Sequence, residues 1–523
     1  MTRIPTAGLI AVTRRAPDQR RAGQFRMSSA ATRAHQPSDR FAISELLSQG
    51  GDERILPDPR TGRNRYGCRV EPEVATAAFA STTASTISAS AYDDVAAYLD
   101  DLRRSGPAPD TYRRAAQEAR ERLARLCGLP ARSASNIVLA PSGTDLHLMA
   151  ADLARGAGTG PLVTVMADPS ETGRGVPQAV RGMRFGTSAP HGTKAEIGEI
   201  LPGAVAGESI AVELRRPDGT PRTPGDVEAD FERACRQSIR SGRRVLLILV
   251  DVSKSGLIAP SPASAIDLKR RFGEALTVLV DACQFRLSPE SLADYLAADF
   301  LVAITGSKFV GGPPFSGALL VPDLSAPRLK AQPLLPALAE YSGREDWACD
   351  FTGRTALPDL ANFGMLARWR AALHELEALR SVPEADIGDF LGAFAGQVEA
   401  SLDTLGVLER VETPPLARLG GGWDRIQTIF PFRVSDGTEL MGLPRLQAFH
   451  NRLRRPAGEG ELAVQLGQPV TIGWDAGQPR VALRVSASAP LIVEALKAPD
   501  RGKAVLARVA EALAITADLA RRF

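Results

Sequence analysis

Short apolar runs alternate with amphipathic stretches through the middle of the chain. In the amphipathic stretches Arg, Glu and Gln are interleaved with Ala and Leu at helical spacing, which predicts surface helices. The apolar runs are each as long as one buried strand, and they predict strands at residues 136–140, 161–167, 244–252, 276–282, 300–305 and 317–321. The helices predicted around them are residues 110–129, 145–155, 228–241, 265–272 and 289–297.

Continuous apolar strands separated by helices are typical of a parallel sheet that is covered on both faces. The predicted fold class is therefore α/β, with a large domain at residues 110–330. A chain of 523 residues is too long for one core, and a smaller C-terminal α/β domain is predicted at residues 331–523. Its predicted elements are helices at 359–379, 387–405 and 503–522 and strands at 425–434, 470–473 and 481–486.

The N-terminal part of the chain differs in charge from the rest. Residues 1–40 contain eight Arg and two acidic residues, whereas the whole chain has a net charge of only +3. We interpret residues 1–40 as a disordered basic tail, because they contain no sustained apolar run. A start codon assigned too early, with Met27 as the true start, and a transit peptide are the alternatives.

Composition argues against several classes of protein. The small net charge gives no reason to expect nucleic acid as a partner, and no apolar run approaches the roughly 20 residues that a membrane span needs. The five cysteines form no C-x-x-C pair and the five histidines are dispersed, so neither a disulfide framework nor a metal site is predicted. A reducing, cytoplasmic compartment fits this cysteine usage best.

A candidate phosphate site lies between the first predicted strand and the next helix, at Ser142, Gly143 and Thr144. A helix start offers unpaired N–H groups and the positive end of the helix dipole, and Gly allows a close approach to the backbone. Taken alone, the same residues are also typical of an ordinary helix N-cap, and that alternative is the commoner one.

Two candidate catalytic residues follow buried strands. Asp281 emerges at the carboxyl end of an apolar strand, where open α/β sheets bind ligands, and it needs a cationic partner there. Lys308 directly follows another apolar strand and precedes Gly311 and Gly312, in a chain with only seven lysines. Shielding from water lowers the pKa of such an amine and makes it a usable nucleophile. The alternatives are a capping Asp and a solvated surface Lys.

Residues 280–322, VDACQFRLSPESLADYLAADFLVAITGSKFVGGPPFSGALLVP, resemble the cofactor-lysine region of class V aminotransferases and cysteine desulfurases. These proteins belong to fold type I of the enzymes that use pyridoxal 5'-phosphate (PLP). The resemblance rests on Asp281, Gln284, residues 299–300, Ser307 with Lys308, and residues 311–312, in that order. It extends more weakly over residues 110–490.

The resemblance implies a role for each matching position. Lys308 would hold PLP as a Schiff base, and Asp281 would pair with its ring nitrogen. The cofactor phosphate would lie at Ser142, Gly143 and Thr144 with Ser307, and Gln284 would hydrogen-bond the 3'-oxygen. Thr355, in the segment TGRT, would reach the phosphate of a partner subunit in a homodimer whose active site lies at the interface. Arg484 would bind the substrate α-carboxylate, with a charge on the protein surface as the alternative reading.

Three departures from the family pattern are visible. The family places a His or aromatic ring on the cofactor face, but residues 168–173 contain no ring, and Glu171 and Thr172 are predicted to lie there instead. Lys254 follows another strand and is the only rival for the Schiff base. Cys349 does not lie in a recognisable persulfide loop, so desulfurase activity is not predicted.

The segment at residues 41–109 is predicted to border the active site. It is rich in small hydroxyl residues, and Tyr66, Ser85 and Thr86 are candidates for substrate contact. A Ser/Thr-rich loop packed on the surface is the alternative.

The predicted function is that of a PLP-dependent enzyme acting on an amino-acid substrate through an external aldimine and a Cα carbanion. Transamination is the expected outcome. The alternatives are a PLP-dependent lyase, or an enzyme for β/γ-replacement or carbon–carbon bond formation on a larger amino acid. A non-catalytic binding relative is the alternative from another class.

Overall fold

Fourteen α-helices occur in the residues described by the computed structural model, which are 37–73, 76–156, 161–192, 194, 196–455 and 462–523. Residues 1–36, which hold most of the predicted tail and Met27, lie outside the described residues. The helices are α1 (Pro37–Leu47), α2 (Ala89–Ser105), α3 (Pro109–Leu126), α4 (Gly143–Arg155), α5 (Val176–Val180), α6 (Pro224–Arg240), α7 (Pro262–Phe272), α8 (Pro289–Ala297), α9 (Ala326–Lys330), α10 (Phe363–Arg380), α11 (Glu384–Thr404), α12 (Leu443–Leu453), α13 (Ala489–Lys497) and α14 (Lys503–Ala520). Within the described ranges, none has the length and apolar character needed to cross a membrane.

The strands form one sheet of eight and one of five. The larger sheet contains β2 (Ile137–Ala140), β3 (Leu162–Ala167), β4 (Glu208–Val212), β5 (Arg244–Asp251), β6 (Ile258–Ala259), β7 (Leu276–Ala282), β8 (Leu301–Thr305) and β9 (Gly317–Leu320). The smaller sheet contains β1 (Thr76–Phe79), β10 (Leu408–Arg410), β11 (Ile429–Val434), β12 (Ala463–Asp475) and β13 (Gln478–Ser486).

The larger sheet is mainly parallel. Its strand order is β2-β9-β8-β7-β5-β3-β4, with the short β6 paired to β5. Strand β9 is antiparallel to both of its neighbours, so β2 runs in the same direction as β8, β7, β5, β3 and β4. The carboxyl ends of these six strands therefore meet at one edge of the sheet.

Both faces of the larger sheet are buried, which explains why its strands read as continuous apolar runs. In β5, Val245, Leu247 and Leu249 belong to one hydrophobic cluster. Leu246 and Ile248 belong to a second cluster on the opposite face. Because successive side chains of a strand point to opposite faces, a sheet covered by helices on both sides needs apolar residues at every position.

The smaller sheet joins distant parts of the chain. Strand β1 pairs in parallel with β12, and the rest of the sheet is antiparallel. The segment at residues 41–109 thus supplies an edge strand to a sheet whose other strands come from residues 408–486. The division into four regions proposed from the sequence remains a prediction.

Two elements that the sequence pattern did not reveal have physical explanations. Strand β4 lies at the edge of the larger sheet and is mostly exposed, so it lacks an apolar run. Strand β12 is much longer than the predicted 470–473, and its pairing with β13 is irregular between Gly467 and Val470 and again between Thr471 and Gly473. Such bulges, together with Gly and Pro within the strand, break the alternation on which a prediction depends.

A buried ion pair ties the loop before β11 to the large sheet. The Arg418 side chain donates to the Asp251 carboxylate at 2.7 Å, and both side chains are almost completely buried. The Tyr295 hydroxyl donates to the second oxygen of Asp251 at 2.5 Å. Arg418 also lies 3.5 Å from Asp424, whose carboxylate accepts the Ser288 amide.

Removing one member of this pair should be strongly destabilising, because a charge would then be buried without compensation. We expect Arg418→Met to lower the free energy of unfolding by about 3–5 kcal/mol, as measured by urea denaturation. Arg270→Met, which removes an exposed pair with Asp267, is the matched control and should change it by less than about 1 kcal/mol. Equal effects of the two variants would contradict this assignment.

Candidate active site

Residues predicted to carry chemistry follow strands that end at the same edge of the larger sheet. In sheet order, β8, β7, β5 and β3 are neighbours and run in parallel. The residues in or directly after the ends of these strands, and after β2, are Lys308, Asp281, Lys254, Glu171 and Ser142. The topology therefore gathers them at one edge although they are spread over 167 positions of the sequence.

The start of α4 lies against the ends of β7 and β8. Ser142 is the N-cap, and it exchanges hydrogen bonds with Asp145: its hydroxyl accepts the Asp145 amide, and its own amide donates to the Asp145 carboxylate at 2.7 Å. A Cβ on Gly143 would approach the Cys283 sulfur to 2.7 Å, so only glycine fits here. Gly143 and Thr144 occupy the first helical turn, where backbone N–H groups have no partner within the helix.

Asp281 is buried beside a histidine that the sequence reading did not single out. The Nε2 atom of His147 lies 3.3 Å from Oδ2 of Asp281, although the angle is outside the range of a hydrogen bond. The other ring nitrogen, Nδ1, is 2.7 Å from the Gly143 carbonyl oxygen. The Cys283 amide donates to Oδ1 of Asp281 at 3.2 Å.

The charges around Asp281 keep it ionised. Burial alone would raise the pKa of the Asp281 carboxyl, but the His147 imidazole and the Lys308 ammonium together hold that pKa well below its usual value. Burial likewise opposes the protonated form of His147, yet the Asp281 carboxylate raises the histidine pKa above its usual value. The Asp281 carboxylate therefore has two cationic neighbours, which are His147 on α4 and Lys308 in the turn after β8.

A simple helical signal points to His147. It lies four residues after Gly143 on α4, so one helical turn places it directly behind the glycine turn. Histidine count and spacing alone could not reveal it, because its partner Asp281 is distant in sequence.

Lys308 is partly buried, and its backbone is held from two sides. The Ser85 hydroxyl donates to the Lys308 carbonyl at 2.8 Å, and the Ser85 amide donates to the Ser307 carbonyl at 3.1 Å. The Ser307 hydroxyl lies 3.4 Å from that of Thr305, which in turn donates to the Cys283 carbonyl at 2.6 Å. These bonds fix the turn that carries the lysine and leave its side chain free of a carboxylate partner in the described residues.

The hydroxyl-rich tract at residues 81–85 packs against this site and is largely buried. The Thr82 carbonyl accepts a hydrogen bond from the Gln284 side-chain amide at 3.1 Å, while the Gln284 oxygen Oε1 is buried without a partner among the described residues. The Thr83 hydroxyl accepts from Arg484 at 3.2 Å. Of the predicted contacts in this tract, Ser85 holds the lysine backbone.

Arg484, on β13, is buried and points at neutral oxygens. Its guanidinium donates to the Gln468 carbonyl at 2.6 Å, to the Lys254 carbonyl at 3.3 Å and to the Thr83 hydroxyl. Its Nε has no partner among the described residues, and burial lowers the pKa of the guanidinium. A Cβ on the neighbouring Gly467 would lie only 3.0 Å from this Nε, so glycine makes room for the arginine.

Glu171 is held by the protein itself. One carboxylate oxygen accepts from the Ser253 hydroxyl at 2.7 Å, both are 2.7 Å from the Ser255 hydroxyl, and Arg215 donates at 3.3 Å. Thr172 is equally buried, and its hydroxyl has no partner among the described residues. Glu171 therefore anchors the loop after β5 to the loop after β3, which leaves its carboxylate little freedom to contact a ligand.

Lys254 lies in the loop anchored by Glu171. Its amide donates to the Glu171 carbonyl at 2.9 Å, and its ammonium donates to the Pro169 carbonyl at 3.3 Å. Burial, followed by the charge of Arg484, lowers the pKa of the Lys254 amine to about 7, and the Lys308 charge adds to the shift.

Three predicted residues lie outside this group of side chains. The Tyr66 ring lies 6.5 Å from that of Phe315, and burial raises the pKa of its hydroxyl against the opposing charge of Arg54. The Thr86 hydroxyl is 3.5 Å from the Glu73 carboxylate. Thr355 is exposed, in a short 3-10 helix.

No group of three or more His, Cys, Asp or Glu side chains in the described parts of the chain is arranged to hold a metal ion. The titratable side chains of the site instead fall into two groups, one in each half of the site. One half contains Asp281 with His147, and the other contains Lys254 and Arg484. Lys308 acts electrostatically on both halves.

Solved structures with this fold are known, although no family model and no curated protein matches the sequence. A NifS-like protein superposes with a TM-score of 0.51 at 13% identity, covering 84% of this chain and 100% of its own. The cysteine desulfurase CsdA from Escherichia coli gives 0.50 at 14% identity, covering 84% and 95%. The Oryza sativa protein TDC, solved with PLP and tryptamine, gives 0.51 at 14% identity, covering 93% and 90%.

These similarities confirm the predicted fold class. The chain has the α/β fold of fold type I PLP-dependent enzymes, with a mainly parallel large sheet and a smaller sheet formed largely by the C-terminal part. At 13–14% identity the comparison establishes the fold alone.

The pairing of Asp281 with His147 predicts a measurable change in titration. In Asp281→Asn the burial of His147 is no longer opposed by a carboxylate, so its pKa should fall below the ordinary value near 6.5 instead of lying above it. NMR titration of the ring nitrogens measures this directly. His450, whose pKa burial already lowers to about 4, is the internal control and should not move. An unchanged His147 titration would show that Asp281 is not its partner.

Proposed function

We propose that this protein is a PLP-dependent enzyme that acts on an amino-acid substrate and binds the cofactor covalently through Lys308. One observation carries the proposal: an amine and an ionised carboxylate lie at the ends of adjacent parallel strands, close enough for the Lys308 charge to lower the pKa of Asp281. PLP is a pyridine ring that carries an aldehyde and a basic ring nitrogen. The Lys308 amine suits the aldehyde, and the Asp281 carboxylate suits the protonated nitrogen.

The other half of the cofactor also fits the residues present. The first-turn amides of α4 at Gly143 and Thr144 suit a phosphate, and a Cβ at Gly143 would disturb their approach to the strand ends. Ser307 lies in the adjacent turn. The unpartnered Oε1 of Gln284 leaves this buried amide with an acceptor available for a further hydrogen bond.

Each residue then has a physical role. PLP, when bound, supplies an electron sink for charge that develops at the substrate Cα. Asp281, kept ionised by His147, would favour a protonated ring nitrogen, and Lys308 would take up and return the Cα proton. Arg484 offers its buried guanidinium to the substrate carboxylate, which orients the Cα–H bond.

Among the possible reactions, we infer transamination. A lyase, or an enzyme for β/γ-replacement or carbon–carbon bond formation, remains the second candidate, and the specific observation favouring it is the lack of an aromatic ring at residues 168–173. A non-catalytic relative is disfavoured, because such a protein has no reason to keep a half-buried Lys308 at the strand ends beside a buried Asp281.

We further propose a homodimer in a reducing, cytoplasmic compartment. Thr355 is exposed on this chain, and the family resemblance implies that it reaches the phosphate site of a second copy. All five cysteines are free, and four of them are buried.

Peptide mass spectrometry after borohydride reduction tests which lysine binds the cofactor. Wild-type protein should show a visible absorbance band, and borohydride reduction should fix the cofactor to the peptide that contains Lys308. Lys308→Ala should abolish both signals, whereas Lys503→Ala, which removes an exposed lysine, should retain them. An adduct on the Lys254 peptide would move the attachment to the rival lysine, and a colourless, unmodified wild type would refute the enzyme.

The reaction type is tested by product analysis with a panel of amino acids. A transaminase should release one keto acid per enzyme in the absence of an acceptor and should turn over repeatedly only when a second keto acid is added. Asp281→Asn should slow the first half-reaction by about 100-fold or more, because the ring nitrogen loses its anionic partner. Continuous keto-acid or ammonia release without an acceptor would indicate a lyase instead.

A further inference from the structure

The substrate side of the site has more positive than negative charge. The Arg484 guanidinium contacts the backbone carbonyl of Lys254, so these two basic residues are neighbours. Lys308 and Arg174 act on the Lys254 amine from two further elements, the turn after β8 and the loop after β3. Three other basic residues are thus close enough to Lys254 to disfavour its protonated form.

The one carboxylate that faces Lys254, that of Glu171, is already saturated. Its oxygens accept hydrogen bonds from Ser253, Ser255 and Arg215, and Arg215 balances its charge. The other carboxylate of the site, Asp281, is balanced by His147 on the far side. Neither carboxylate is therefore free to neutralise the basic residues Lys254, Arg484, Lys308 and Arg174.

Lys254 is the unusual member of this group. Two other buried cations have more partners: Arg418 lies 2.7 and 3.5 Å from two carboxylates, and Arg368 donates to four backbone carbonyls. An ammonium has three donors, but that of Lys254 makes a single hydrogen bond, to the Pro169 carbonyl, and no ion pair among the described residues. A half-buried amine with unused donors, whose backbone contacts an arginine with an unpartnered Nε, is suited to an anion from outside the chain.

We propose that the substrate is an amino acid with an acidic side chain, whose α-carboxylate binds Arg484 and whose side-chain carboxylate binds Lys254, with Arg174 at the rim. This inference rests on the proposed function, because it assigns the substrate class of the same site.

The site also makes diacid binding depend on pH. Facing Lys254 are Arg484 from β13, Lys308 from the turn after β8, and Glu171 and Arg174 from the loop after β3. Burial and the three cations lower the pKa of Lys254 to about 7, with only Glu171 opposing. Since a carboxylate binds the protonated amine, diacid affinity should be greatest below pH 7 and decline as the pH rises through and above that value.

The test uses PLP-loaded protein and unreactive acids that lack an amine: succinate and glutarate, each against the monocarboxylate of equal length, butyrate and pentanoate. Calorimetry should show that the better diacid binds about tenfold or more tightly than its monoacid. Lys254→Gln should remove most of this preference, Lys254→Arg should keep it without the decline above pH 7, and Lys503→Gln should change nothing. Arg484→Gln should weaken diacids and monoacids alike.

Three outcomes would overturn the substrate class: equal binding of diacids and monoacids by the wild type, an unchanged preference in Lys254→Gln, or a pH-independent preference. A Lys254→Gln protein that keeps the diacid preference but loses cofactor would show that Lys254 serves the cofactor instead. Because PLP loading is checked first by the borohydride adduct at Lys308, a failed preference in loaded protein rejects only the substrate class, and a missing adduct rejects the enzyme itself.

Discussion

The burial of an ionised carboxylate at the end of β7 is the constraint on which the site depends. Asp281 is stable as an anion only because cationic groups compensate for its lost hydration. One of them, His147, is rigidly placed by α4, so the carboxylate also fixes the position of the helix start that faces the strand ends. Gly143 is required by the same packing, since any side chain there would strike Cys283. A single buried charge thereby links the glycine turn, the helix and the neighbouring strand into one unit.

The second organising feature is the hydroxyl-rich tract after β1. It is held to β13 by Ser81, whose hydroxyl lies 3.0 Å from that of Ser486, and to the lysine turn by Ser85. Small side chains suit this position because the tract runs between the two sheets, where backbone polar groups need partners and bulky residues have no room. The tract thereby connects the larger sheet, which carries Asp281 and Lys308, to the smaller sheet, which carries Arg484.

Sequence pattern was most informative where one physical rule dominated. The runs at 276–282 and 289–297 coincide with β7 and α8, because complete burial and a Ser-Pro helix start leave little ambiguity. It failed for β4 and for most of β12, where exposure or bulges remove the periodicity. In the site, strand-end positions identified Asp281 and Lys308, but His147 and the partners of Glu171 depend on contacts between distant segments. Glu171 illustrates the limit: its position after β3 was evident, whereas its engagement by Ser253, Ser255 and Arg215 could emerge only from the folded chain.

The pairing of β1 with β12 has a consequence for how the protein acquires its shape. Thr76 is synthesised long before its partner Ala463, because the two residues are far apart in the sequence. The entropy cost of closing so long a loop must be met before the contact forms, and contacts of this range form slowly. The large sheet can assemble while translation continues, yet the hydroxyl-rich tract has nothing to pair with until the C-terminal strands exist. During synthesis the chain therefore contains Lys308 and Asp281 before the surrounding site is closed, and closure occurs only when β1 pairs with β12.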